Sequence, residues 1–176
     1  MFLKKVIFQF IQKKESQKAV IKECIVALDI AMVETEQFLN QDEYLYEFDY
    51  SKRKVQLDQL SKDVKRRMSN PVTGFKKIIY GLASIQNQYE EKQEEYDERV
   101  KVFSELIKEH NRNYMKRAIA DARKVVGNVE GRPLDNKQME CIVKNPRNQL
   151  VIAGAGTGKT TTIIGKVNFI GKTIQL

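Results

Sequence analysis

From Phe2 to Leu39 the chain contains neither proline nor glycine, so nothing in that stretch forces a helix to stop. Apolar residues recur through it at helical spacing. Ile21, Cys24, Leu28, Ala31 and Phe38 fall on one stripe, with Lys, Glu and Gln between them. The spacing predicts one long helix or two joined end to end. Breakers are scarce in the whole chain, with 9 Gly and 3 Pro in 176 residues, and 31% of residues are charged. That balance predicts long, surface-rich helices rather than a compact β protein.

Aromatics then alternate at period two through Tyr44, Tyr46, Phe48 and Tyr50, a pattern that suits a short extended segment. Helix is expected again near Ser51, with Leu57, Leu60, Val64 and Met68 on one face, ending at the chain-turning Asn70-Pro71. From Phe75 a near-heptad seam follows: Phe75, Ile78, Leu82, Ile85, Tyr89, Tyr96 and Phe103, with Lys92 and Arg99 occupying seam positions. So imperfect a seam favours an antiparallel intramolecular hairpin, packed on another N-terminal helix, over a long parallel dimer. A further helix is expected over Asn111–Val126, with Tyr114, Ala118, Ala122 and Val125 on one side. The run Gly127–Pro133 breaks it, which places a domain boundary between residues 1–130 and 131–176.

Several function classes fall away early. A hydrophobic fraction of 41% excludes a disordered chain. No apolar run approaches the ~18–20 residues of a bilayer span, so no membrane partner is expected. Met1–Lys14 is basic and apolar, but Gln9 and Gln12 interrupt it and no small-residue cleavage site follows, which argues against a secretory signal. Two cysteines, Cys24 and Cys141, make neither a disulfide framework nor a zinc site. A reduced, cytoplasmic protein is expected. The net charge of +8 suits a polyanionic partner.

The chemistry concentrates near the end of the sequence. Leu150–Ala153 reads as a buried strand, Gly154-Ala155-Gly156-Thr157-Gly158 as a glycine-rich loop, and Lys159 onward as a helix with Ile163, Val167 and Ile170 on one face. Strand, loop and helix in that order are the context of a phosphate-binding loop. Glycines leave backbone N–H groups free to converge on a phosphate, and the helix N-terminus adds its dipole. Lys159 can reach the β- and γ-phosphates as a point charge, and the Thr160 hydroxyl can ligate Mg²⁺. Ala153 stands where the usual G-x-x-x-x-G-K-[ST] pattern begins with glycine. Such a pattern arises by accident in about one chain in a hundred of this length, and the strand and helix around it make chance rarer.

Upstream, Asp135 is a candidate helix N-cap, Gln138 completes a capping box, and Leu134 with Met139 can form a hydrophobic staple. A glutamine amide can also bond the donor–acceptor edge of adenine. Capping alone is the simpler role for Gln138. A phosphate loop about twenty residues on favours the second task as well.

Pro133-Leu134-Asp135 with Gln138, followed by Leu150 to Thr160, resembles the opening of UvrD/Rep-type superfamily 1 DNA helicases, most nearly the helicase IV-like branch with its added helical N-terminal region. The resemblance covers about Arg132 to Ile170. It implies a RecA-like α/β core, here only its first β-loop-α, after a mainly α helical hairpin or coiled-coil region. It also implies ATP and Mg²⁺ as cofactors, adenine reading by Gln138, and phosphate and metal binding by Lys159 and Thr160. Gln138, the loop Gly154, Ala155, Gly156, Thr157 and Gly158, and Lys159, Thr160 and Thr161 are the nucleotide-binding candidates. Lys159 and Thr160 are the catalytic ones. Many members carry arginine where this chain has Thr161, which removes that contact to the base.

No Asp or Glu follows Glu140, so no later strand of this chain supplies a metal-holding carboxylate, and arginine fingers are equally lacking. The expectation is therefore the N-terminal portion of an ATP-dependent DNA helicase or translocase, an ATP hydrolase inactive alone. Leu150–Ala153, without an evident partner strand, should leave the loop mobile or the chain prone to association. The alternative is a helicase-like factor whose hairpin acts on RNA polymerase. A complete small P-loop kinase is disfavoured by the missing acids. The basic clusters Lys52-Arg53-Lys54 and Lys62, Lys65, Arg66, Arg67 read first as a solvated helix face, and the Tyr44–Tyr50 aromatics as packing at a helix junction. His110, the only histidine, is assigned no chemistry.

Overall fold

A computed structural model describes residues 2–69, 81–129, 131–144 and 149–174. Five helices and one short hairpin are present among them: α1 (Phe2–Leu39), α2 (Glu47–Arg67), α3 (Ala83–Val126), β1 (Asn128–Val129), β2 (Arg132–Pro133), α4 (Asn136–Val143) and α5 (Lys159–Ile174). The chain divides into two compact units. One comprises Met1–Gln41 and Glu47–Leu106, the other Asp42–Tyr46 and Ile107–Leu176.

In the first unit the two predicted seams meet. Ile21, Cys24, Leu28 and Ala31 of α1, Leu57 and Val64 of α2, and Leu82, Tyr89, Tyr96 and Phe103 of α3 and the residue before it are buried. Phe38 lies 6.4 Å from Phe103, ring centre to ring centre. The pairs Arg53–Glu34 and Arg67–Glu23 make α1 and α2 antiparallel. The bonds Lys54–Ser104 and Ser61–Asp97 do the same for α2 and α3. Phe75, Ile78 and Asn70-Pro71 lie outside the described residues. The seam lysine and arginine find acids: Lys92 pairs with Asp29 and Glu95, and Arg99 with Glu36.

Two buried tyrosines of this unit are hydrogen-bonded, whereas the buried Gln86 Oε1 has no partner among the described residues. The Tyr96 hydroxyl donates to the Leu57 carbonyl at 2.9 Å, and the Tyr89 hydroxyl to Gln93 at 3.3 Å. Burial pushes both phenols up to about 12. Burial also pushes the Asp97 carboxyl up, but Lys65, Ser61 and Gln93 all donate to it, and the balance holds it below its usual value.

The second unit is centred on Ala122, Val126, Val129, Leu134, Met139, Ile142 and Val143, with Ile164 and Phe169 of α5 packed against them. β1 and β2 form a two-stranded antiparallel hairpin, Asn128 opposite Pro133 and Val129 opposite Arg132. The segment 42–46 is pinned by a two-way bond. The Leu45 N–H donates to Asn111 Oδ1 and Asn111 Nδ2 donates to the Leu45 carbonyl, each at 2.8 Å. His110 Nε2 bonds the Glu43 carbonyl at 2.8 Å, and Tyr44 packs on Tyr46 and Tyr114.

Three expectations need correction. No RecA-like α/β core is present among the described residues: the only strands there are the two of the antiparallel hairpin, and residues 150–153 form no strand. Four apolar residues in a row define a strand only if a neighbour completes their hydrogen bonds, and none does among the described residues. Leu150 and Ile152 are instead 84% and 88% exposed. Second, α3 runs unbroken where two helices were expected. Third, the aromatic run is extended only in part, since Glu47–Tyr50 already belongs to α2. Ile163, Val167 and Ile170 share an exposed face of α5. The helix turns Thr162 and Gly165 inward, because Gly165 lets it approach Ile142, Leu134 and Val129.

Candidate nucleotide-binding site

The site is built from the start of α4 and the loop entering α5. Asp135 caps α4: its Oδ1 accepts from the Gln138 N–H at 2.8 Å, and Gln138 Oε1 accepts from the Asp135 N–H at 2.9 Å. Both halves of the capping box are made. Leu134 and Met139 are buried together, completing the staple. The box leaves the Gln138 Nε2 pointing at the loop, 3.4 Å from the Thr157 carbonyl.

Gly156 and Gly158 carry positive φ, 74° and 79°. At Gly158 the positive φ disfavours a side chain, and a Cβ would also stand 2.5 Å from Gln138 Nε2, so that amide would have to shift. Gly154 is different: its φ is unexceptional and a Cβ there would make only ordinary contact with Thr157. The loop closes on its own side chains. Thr157 Oγ1 donates to the Gly154 carbonyl at 2.8 Å, and Thr162 Oγ1 to the Gly158 carbonyl at 2.9 Å. Lys159 Nζ donates to the carbonyls of Ala153 and Gly154 at 2.6 and 2.9 Å. Ala155, Lys159 and Thr160 are exposed, and Thr161 is half-buried at the first turn of α5.

The structure therefore brings Gln138 to the loop, Thr157 and Gly158 above all. It leaves that loop without the parallel sheet that would ordinarily support it. Lys166, which the sequence did not single out, takes up part of that support. Its Nζ donates to the Cys141 and Lys144 carbonyls, at 3.0 and 2.6 Å, and to Gln149 Oε1 at 2.5 Å. A cation on the last carbonyls of α4 also suits that helix's dipole. Burial lowers the ammonium's affinity for its proton, opposed in part by the nearby Cys141 thiol group. Nothing in the sequence hinted at this role, since Lys166 lies in the middle of α5 and its targets lie 17 to 25 residues away.

Arg53, Lys65, Arg66 and Arg67 of the basic clusters are in ion pairs with Glu34, Asp97, Asp63 and Glu23. No helix of the described residues is long and apolar enough to cross a membrane. No group of three or more His, Cys, Asp or Glu side chains among the described residues is placed to hold a metal. No protein-family model, curated protein or solved structure matches this chain.

Proposed function

We propose that this chain binds ATP through residues 153–161, with Gln138 reading the base. It would serve as the ATP-binding portion of an ATP-dependent DNA helicase or translocase and not turn ATP over by itself. One observation carries the reading: the Gln138 amide lies against Gly158 and on the Thr157 carbonyl, so the two motifs share one site although nineteen residues separate Gln138 from Thr157.

The donor set suits a polyphosphate. Lys159 is exposed at the loop and occupied only by loop carbonyls, which a phosphate can replace as its partners. The start of α5 adds its dipole. The groups fit magnesium less fully. Thr160, exposed beside Lys159 at the start of α5, would supply one hydroxyl, and phosphate oxygens would supply the remaining charge. Magnesium would neutralise the phosphates when bound. With no acid after Glu140, nothing in the loop's own helix orients an attacking water. DNA as the wider partner rests on the net charge of +8 and on the helicase resemblance.

Titration of the whole chain with a fluorescent N-methylanthraniloyl ATP, with and without magnesium, tests the reading. Binding should weaken at least about tenfold in Lys159→Ala, the loss of one charge-assisted contact. Gln138→Ala should reduce the preference for ATP over GTP by about 1–3 kcal/mol. Absence of binding, or binding indifferent to Lys159→Ala, would refute it.

A further inference from the structure

α1 has two apolar faces, and the first unit covers one of them. Ile21, Cys24, Ile25, Leu28 and Ala31 are buried in its core. On the opposite side Phe8, Ile11, Val26, Ile30 and Val33 are 60%, 51%, 54%, 53% and 55% exposed. Ala19 is exposed on the same line. Scattered exposed apolar residues are ordinary, but a row of them along one helix is a contact surface lacking its counterpart.

The spacing of the row says which counterpart fits. With Glu15 and Lys22 filling its two gaps, it advances by three, four, four, three, four, four and three residues. Eleven-residue steps average about 3.67 residues per turn, close to the 3.6 of a straight helix, so the row drifts little around α1. The intervals also read the same from either end. Such a row matches itself when a second α1 is laid against it antiparallel. Phe8 then meets Val33 of the partner subunit, and Ile11 meets Ile30 of the partner subunit.

Charge agrees with that orientation. Residues 2–22 contain six lysines and one glutamate, whereas residues 23–39 contain four acids and no Lys or Arg. Antiparallel pairing sets the basic half of one helix on the acidic half of the other, and parallel pairing sets like on like. In the same register Lys18 stands opposite Glu23 of the partner subunit. Glu23 already bonds Arg67 of its own chain yet remains 63% exposed, so it keeps room for a second cation. Glu15 and Lys22, opposite Val26 and Ala19 of the partner subunit, are long enough to carry their charges to the rim.

We infer that this row is the interface of an antiparallel, two-fold symmetric dimer of the chain. Light scattering on size-separated whole chain, over a wide concentration range, should give a dimer. Ile30→Asp, a substitution at an exposed position, should dissociate it with an unchanged circular dichroism spectrum. Lys18→Glu should weaken the dimer about tenfold, because symmetry disrupts the pair twice, and adding Glu23→Lys should restore it. Chains bearing Ile11→Cys mixed with chains bearing Ile30→Cys should cross-link to each other, while Ile11→Cys alone should not. A monomer at every concentration, a dimer that survives Ile30→Asp, or cross-linking by Ile11→Cys alone overturns the inference. So does a monomer that instead partitions onto anionic lipid vesicles.

Discussion

Two glycines of α5, Gly165 and Gly171, provide a test of how that helix sits on its unit. An alanine at Gly171 would meet nothing within 4 Å, so Gly171→Ala should stabilise by helix propensity alone, about 0.5–1 kcal/mol. An alanine at Gly165 gains the same propensity but places its Cβ 2.8 Å from Ile142 Cδ1 and 3.2 Å from Leu134 Cδ1. Both neighbours are buried side chains, at 1% and 3% exposure, with little room to withdraw. Overpacking of this kind costs about 1–3 kcal/mol, so Gly165→Ala should come out between neutral and about 2 kcal/mol destabilising. Deuterium exchange of peptides spanning α4 and α5, in the whole chain, reads the effect locally. Ile142→Val removes the clashing methyl and should recover much of the loss when combined with Gly165→Ala, although it costs about 0.5–1.5 kcal/mol by itself. If Gly165→Ala stabilises as much as Gly171→Ala, α5 faces the core with some other side, and the placement described above is wrong.

Tyr89 and Tyr96 should make the first unit sensitive to alkali. Their phenols are neutral when folded up to about 12 and ionise near 10 when unfolded, so their contribution is complete below pH 10 and lost as pH rises towards 12. The shift corresponds to at most about 3 kcal/mol each, and Tyr96→Phe should flatten the alkaline limb of a stability-against-pH curve from urea melts. Asn111→Ala, which strands the Leu45 N–H and carbonyl, should cost about 2–4 kcal/mol and speed exchange at residues 42–46 before the rest of the second unit. Lys166→Met, similar in length but unable to donate, should cost about 2–3 kcal/mol, visible as loss of protection at the end of α4. Unchanged protection there would mean that the Cys141 and Lys144 carbonyls have no need of the ammonium.

What the sequence made legible was whatever repeats along a single helix. The stripe Ile21, Cys24, Leu28, Ala31 and the seam Leu82, Tyr89, Tyr96, Phe103 are buried because a 3–4 pattern is itself the geometry of a helical face. The capping box at Asp135 was equally plain, since it depends on residues three apart. Leu150–Ala153 was misread because strand formation is a property of a pair, and an apolar run says nothing about the neighbour. The inward face of α5 was not legible, because the bulky row Ile163, Val167 and Ile170 is its exposed side. The contact is made by Gly165, whose contribution is the lack of bulk. Asn111 looked like the start of a new helix, but its polar side chain is spent on Leu45, 66 residues away.

The capping box at α4 has a further consequence for the Gln138 amide, which is best counted in lone pairs and hydrogens. Its oxygen has two acceptor sites, one taken by the Asp135 N–H, and its nitrogen has two hydrogens, one turned to the Thr157 carbonyl. One acceptor and one donor remain for a base to use. Rotating the amide by half a turn would set an NH₂ against the Asp135 N–H and an oxygen against the Thr157 carbonyl, two repulsions at once. The helix cap therefore acts as a key that holds the amide in one sense. Adenine offers a matching edge, with N6–H to give and N7 to receive. Guanine presents O6 and N7, two acceptors, and meets the fixed amide oxygen with a like dipole. A contact whose first task is to start an eight-residue helix would thus also decide which purine the loop accepts.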